Sequence, residues 1–205
     1  MMFLAIKNQC EALSKQFGLI PAERKKQLEI VAKYIRSKKE ENQTVNLVYI
    51  CTHNSRRSIF GQIWAAVAAS FYGVSFVNTF SGGTMETAFH PNAIGALRSA
   101  GFKIITEMEN SNPHYTVAFS ENQSLECFSK VFDSPSNPSN NFAAILTCSH
   151  AEENCPFISG ADLRIGLTYD DPKEFDGTAL QTQKYEERSN QIALESLYLF
   201  YKISN

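Results

Sequence analysis

Cys51-Thr52-His53-Asn54-Ser55-Arg56-Arg57-Ser58 puts a thiol, a guanidinium six residues on and a hydroxyl directly after it into a stretch short enough to close on itself. A loop of this length can wrap its backbone N–H groups around a tetrahedral anion, and a helix starting behind it adds positive potential at the same spot. Arg57 supplies a planar fork for two anion oxygens, which the point charge of a lysine does not reproduce. The same field favours a thiolate, so Cys51 is the candidate nucleophile and Ser58 the hydroxyl placed to hydrogen-bond its sulfur. Asn54 tolerates the left-handed backbone that a tight loop needs to turn its amides inward. The expected oxyanion-binding set is therefore Thr52, His53, Asn54, Ser55, Arg56, Arg57 and Ser58.

A second group of chemically capable residues is Cys148-Ser-His-Ala-Glu-Glu-Asn-Cys155. Seven residues of separation allow a mobile segment to bring these two thiols together, and the polar residues between them suit a segment that unravels readily. Cys148, His150 and Cys155 are also potential metal ligands, but they lack a CxxC knuckle and a fourth partner, so no metal and no cofactor are expected. Two buried structural cysteines are the remaining alternative. Further on, Tyr169-Asp170-Asp171-Pro172 offers a carboxylic acid in a loop fixed by proline. An oxyanion attacked at its central atom must lose an oxygen, and Asp171 is the first choice to protonate it, with Asp170 second.

These residues need elements to hold them. Residues 45–50, short, β-branched and aromatic, suit a central strand covered on both faces and running straight into Cys51. Residues 58–72 read as a buried helix ending near Gly73, where Ile59, Ile63 and Val67 recur at helical spacing. A second strand is expected at 74–80, a helix at 91–100 closed by Gly101, and a third core strand at 142–147 ending at Cys148. This βαβα alternation implies a mainly parallel sheet, which gathers the ends of its strands, and hence the three sulfurs, at one edge. Residues 115–119 and 125–132 read as a hairpin about a polar turn, and 134–141 as a loop. The chain closes with an amphipathic helix over 180–203, burying Ile192, Leu194, Leu197, Leu199 and Phe200.

Residues 1–44 read as a helical hairpin broken at Gly18. Leu28, Val31 and Ile35 share one helical face, as in an appendage packing onto a neighbouring surface, and 38–43 reads as a solvated linker. With 205 residues the prior is one α/β domain plus this extension. Nineteen basic residues against 21 acidic ones give a net charge of -2, which leaves no global field for nucleic acid or an anionic membrane. The first residues carry no basic leader or cleavage site, and no apolar run approaches the roughly 20 residues of a membrane span. Five cysteines without an export signal favour free thiols in a reducing compartment, so a cytoplasmic location is expected.

With these residues in view, the chain resembles the thioredoxin-coupled arsenate reductases, which share the fold of the low-molecular-weight protein tyrosine phosphatases. The resemblance runs from about Val45 to the C-terminus. It rests on Cys-Thr-x-Asn-Ser-x-Arg-Ser at 51–58, Phe-Ser-Gly-Gly at 80–83, His-Pro-Asn-Ala at 90–93, the Cys148 and Cys155 pair, and Tyr-Asp-Asp-Pro at 169–172. It implies an α/β three-layer sandwich with a mainly parallel four-stranded central sheet, formed by a catalytic domain over 45–205 with an insertion around 102–141. It further implies that Cys51 forms a thiol–arsenate adduct, that Cys148 releases arsenite by attacking its sulfur, and that a Cys148–Cys155 disulfide is left for thioredoxin. The alternative within the same fold is a phosphatase that hydrolyses phosphomonoesters with Cys51, Arg57 and Asp171 alone. His53 stands where the family usually has glycine, Arg56 where it often has a second cysteine, and Gln62 where some relatives use an acid to hold potassium.

Overall fold

The computed structural model describes residues 1–106, 110–155 and 157–204. Its central sheet begins with strand β1 (Val45–Cys51), nearly all of whose residues are buried, as befits a strand with neighbours on both sides and layers above and below. Strand β2 (Val77–Gly83) lies on one flank of β1. On the other flank β6 (Phe142–Leu146) follows, and then β7 (Ala161–Gly166), giving a four-stranded sheet of order β2-β1-β6-β7. All three pairings are parallel, with Cys51 opposite Gly83 and Ile50 opposite Leu146. Backbone bonds carry the ladder past the named strands: Thr147 N donates to Ile50 O at 2.7 Å and Tyr169 N to Thr147 O at 3.2 Å. The segments after β1, β6 and β7 therefore leave from the same edge.

Alternating side chains of β1 enter two cores. Leu47 and Tyr49 face the larger, which is filled by helix α3 (Arg57–Phe71) and by α6 (Gln181–Ser204) behind it. Gly61 lets α3 approach closely, since a Cβ there would meet the Tyr49 ring at 2.4 Å. Val48, Ile50 and Cys51 face a smaller cluster with Leu146, Cys148, Ala151 and Cys155, covered by the short helix α5 (Ser149–Asn154). Helices thus lie around the sheet. Helices α1 (Leu4–Ser14), α2 (Ala22–Glu40) and α4 (Pro91–Ser99) all lean on α6. Ile6, Cys10, Leu28, Val31 and Ile35 are buried in the same core as β1 and α3.

Several boundaries differ from the sequence reading for identifiable reasons. The second strand starts at Val77 rather than 74, because Gly73 takes a left-handed φ of 70° and Val74 N turns back to Ala69 O, so that residue closes α3. Helix α2 continues to Glu40 and absorbs the first half of the supposed linker; Lys38 is held there by Asp162 at 3.0 Å. The hairpin forms as β4 (Tyr115–Ala118) and β5 (Ser124–Cys127), with β3 (Lys103–Ile105) as an unforeseen third antiparallel strand. Beyond Cys127 the chain leaves β5 to run beside the end of β2, where Gly83 N donates to Lys130 O and Phe132 N to Gly83 O. Leu194 is only partly buried, whereas Ile192, Leu197, Leu199 and Phe200 are core. The stretch between Cys148 and Cys155, to which the sequence reading assigned no element, is the helix α5.

Candidate active site

The loop after β1 is held by its carbonyls. Cys51 O accepts from Thr84 N, Thr52 O from Met85 N, His53 O from the Thr87 and Ser129 hydroxyls, and Ser55 O from His90 N, at 2.8 to 3.1 Å. Turning these carbonyls outward is what lets the loop present its amides to a bound anion. Gly83 permits the tight fit, because a Cβ there would stand 2.7 Å from Thr52 O and 2.8 Å from Asn54 N.

Asn54 adopts the expected left-handed backbone, φ 45°, and is wholly buried. Its Oδ1 accepts from Lys130 N at 3.0 Å and its Nδ2 donates to Ser58 Oγ at 2.8 Å. Since Ser58 Oγ already accepts that bond, its own proton is free for the Cys51 sulfur 3.1 Å away. That contact fixes the sulfur at the mouth of the loop.

Arg57 opens α3, and its guanidinium spans two partners. Nη1 donates to Tyr169 O at 2.8 Å and Nη2 meets Asp171 Oδ2 at 2.5 Å. Asp171 Oδ1 also accepts from Lys173 N and caps the turn at Pro172–Phe175. Asp170, the second choice of acid, instead pairs with Arg188 and is almost fully exposed. Arg56 points away from the cup: its Nε donates to Tyr185 Oη at 2.7 Å and Nη2 faces Asp176 at 3.4 Å. Tyr185 donates in turn to Asp176, which also accepts from Asn92 and lies 3.8 Å from His90 Nε2. Burial, followed by the charges of Lys173 and Arg56, pushes the His53 imidazole below its ordinary value; burial and Arg56 do the same to His90.

Cys148 lies beside this loop. Its sulfur is 3.5 Å from Thr52 Oγ1 and accepts from Ala151 N, capping α5. Cys155 closes the same helix, and burial pushes its thiol up against the opposing charge of Arg164. Cys51, Cys148 and Cys155 share one buried cluster. Cys10 and Cys127 sit in the other core, where burial pushes both thiols up to about 12. All five are free. Among the described residues no group of three or more His, Cys, Asp or Glu is arranged to hold a metal.

Solved structures share this fold over most of their length. An arsenate reductase in the phosphate-binding state is 17% identical and superposes with a TM-score of 0.52, covering 78% of this chain and 99% of its own. The fold is that of the low-molecular-weight phosphatases. A mutant of YwlE from Bacillus subtilis matches at 13% identity and TM-score 0.53, over 79% of this chain and 100% of that one. A low-molecular-weight protein tyrosine phosphatase from T. tengcongensis matches at 13% and 0.52, over 78% and 99%. No protein-family model and no curated protein sequence matches the chain. Phosphatase and arsenate reductase thus share this fold, and the activity must be argued from the site.

The parallel sheet brings together Cys51, the loop 52–58, Cys148 and the Asp171 turn, all at one edge. Sequence reasoning missed the residues behind them. Asp176 and Tyr185, which fix Arg56, carry no local motif, and Lys130 contributes through its backbone alone to Asn54. His90 belongs to a segment that the sequence marked only by resemblance; it caps α4 by accepting from Asn92 N.

Proposed function

We propose that the protein is an arsenate reductase working by a three-thiol relay. The observation that carries this reading is the second sulfur: Cys148 is set against Thr52 of the oxyanion loop, with Cys155 at the end of the same short helix. A phosphatase needs only the first sulfur.

In this mechanism the dianion takes the fork of Arg57 and displaces Asp171 from it. A carboxylate facing an incoming dianion takes up a proton, which Asp171 then gives to the departing arsenic-bound oxygen as the Cys51 thiolate attacks. Water leaves and a Cys51 S–As bond remains. The Cys148 thiolate attacks Cys51 Sγ, the S–As electron pair stays on arsenic, and arsenite departs with arsenic reduced from +5 to +3. Cys155 next attacks Cys148 Sγ, freeing Cys51 and leaving a Cys148–Cys155 disulfide. Each exchange follows thiolate fraction, sulfur access and leaving-group acidity. A dithiol protein such as thioredoxin, in a reducing cytoplasm, closes the cycle.

The test follows NADPH oxidation with thioredoxin, thioredoxin reductase and arsenate. Wild type is expected to consume NADPH. Cys148→Ser should abolish consumption yet keep hydrolysis of para-nitrophenyl phosphate, and peptide mapping after arsenate should find the Cys148–Cys155 bond. A wild type that hydrolyses the ester and never oxidises NADPH defeats the reductase reading and leaves the phosphatase one, which Cys51 with the Arg57 and Asp171 pair would serve.

A further inference from the structure

The Cys148 thiol is 2% exposed, so bulk water has little access to take its proton. Thr52 Oγ1 lies 3.5 Å from that sulfur and 3.3 Å from His150 Nδ1, while His150 itself is exposed. The polarity of this chain can be worked out. Ala151 N–H donates to Cys148 Sγ at 3.4 Å, so the sulfur already accepts and its own proton is left for Thr52. The single proton of the threonine is then directed at Nδ1 of the imidazole. Sγ–H, Oγ1–H and Nδ1 thus form a one-way path from a buried thiol to a solvent-facing base.

We propose that His150 is the general base that ionises Cys148, acting through the hydroxyl of Thr52. This rests on the reading of Cys148 as the resolving thiol. The S–H bond of Cys148 breaks as its proton passes to Thr52 Oγ1, and the threonine proton passes to His150 Nδ1. An imidazolium forms, which gives the proton to solvent. The thiolate attacks Cys51 Sγ, and the S–As electron pair leaves with arsenite. An imidazole is the commonest side-chain proton acceptor, and here a single hydroxyl bridges it to the sulfur. The location of Thr52 has a consequence: it follows Cys51 directly, so the same residue touches the adduct-bearing loop and the thiol that must be ionised next.

The test separates the two chemical stages. His150→Gln keeps a hydrogen-bond acceptor for Thr52 but is not basic. Its hydrolysis of para-nitrophenyl phosphate, which uses Cys51, Arg57 and Asp171, should equal that of wild type. Its single-turnover release of arsenite should be about a hundredfold slower. Added imidazole should restore His150→Ala, which a merely structural role would not allow. A second arm dispenses with arsenate: hydrogen peroxide oxidises Cys51 to a sulfenic acid in a Cys155→Ser background, and Cys148 displaces hydroxide to form the Cys51–Cys148 bond. That step should show the same dependence on His150 and the same rescue. Failure of wild type to reduce arsenate, with a His150-dependent peroxide arm, would sink the reductase reading and keep the relay. Wild-type rates for His150→Gln in the peroxide arm, or slow variants that imidazole leaves unchanged, would overturn the relay itself.

Discussion

Arg57 has a task that no other side chain in the loop can take over. Its two Nη atoms are 2.5 to 2.8 Å from a carboxylate and a carbonyl, a fork spread across the mouth of the cup. Lysine would offer one point charge, reaching one partner at a time. Arg57→Lys is expected to lower kcat/KM for any tetrahedral oxyanion about a hundredfold, in line with the loss of a pre-set anion donor. Steady-state kinetics with arsenate and with para-nitrophenyl phosphate checks this; an effect confined to one substrate would contradict a shared cradle. His90 makes a pH statement. Its Nδ1 accepts from Asn92 N, so the ring is neutral with its proton on Nε2 toward Asp176, and burial and Arg56 hold it below its ordinary value. The folded protein therefore binds fewer protons here than the unfolded chain once pH falls below ~6.5, and stability declines from that point downward. Urea midpoints at pH 7.5 and 5.5 should differ less in His90→Gln than in wild type, and an imidazole signal for His90 titrating above 6.5 would refute the assignment.

At the scale of elements, the turn that carries Asp171 is braced from the far end of the chain. Arg24 of α2 donates to Thr168 O at 2.5 Å, lies over the Tyr169 ring, and meets Glu195 of α6 at 3.4 Å. Glu195, 3% exposed, accepts from Tyr169 Oη at 2.8 Å, and Tyr169 O is a partner of Arg57. Burial raises the Glu195 carboxyl, so removing its cation should cost most where the carboxyl is ionised. Arg24→Ala is expected to destabilise by about 1–3 kcal/mol at neutral pH, the unpaired-charge penalty reduced for the partial exposure of Arg24. The sign follows from the raised value: the folded state keeps a proton that the unfolded chain has released, so the deficit shrinks as pH falls toward ~4.3. Denaturant curves of variant and wild type at pH 5 and 7.5 test it, and a deficit that grows on acidification would oppose it. None of this bracing was legible in the sequence, because Arg24, Glu195 and Tyr169 are far apart in the chain and belong to no pattern. The contacts around Cys51 were legible because they are local: Cys51, Asn54, Arg57 and Ser58 lie within eight residues that leave β1 and open α3. Strand β1 and helix α3 were legible from composition. Strand β7 was not placed, since Ala161–Gly166 is half-buried at the edge of the sheet and has neither a continuous apolar run nor clear alternation.

For the molecule as a whole, the open question is whether residues 1–44 are an addition to the fold or a part of its stability. We propose that they are an extension fused to the catalytic body. Leu28 and Val31 of α2 are buried in the core that also holds Ile63 and Trp64 of α3 and Leu197 of α6. Trp64, the single tryptophan, is wholly buried and donates to Ser189 Oγ of α6 at 2.8 Å, so its fluorescence reports the α3–α6 contact rather than the extension. Truncating Leu28 to alanine opens a cavity in this shared core, and burial of this kind is worth about 2–4 kcal/mol. With a shared core, that loss should be felt everywhere at once: Trp64 fluorescence and far-ultraviolet circular dichroism of Leu28→Ala should move to a lower denaturant midpoint together, with an unchanged slope. An extension that melts by itself predicts the opposite, a circular dichroism transition shifted ahead of an unmoved Trp64 signal. The consequence reaches the site, because α2 supplies Arg24 to the segment leading to Asp171. If the two probes move as one, loosening the first helices lowers the temperature at which the oxyanion edge itself comes apart, and activity in Leu28→Ala should be lost over the same narrow temperature range as the Trp64 signal.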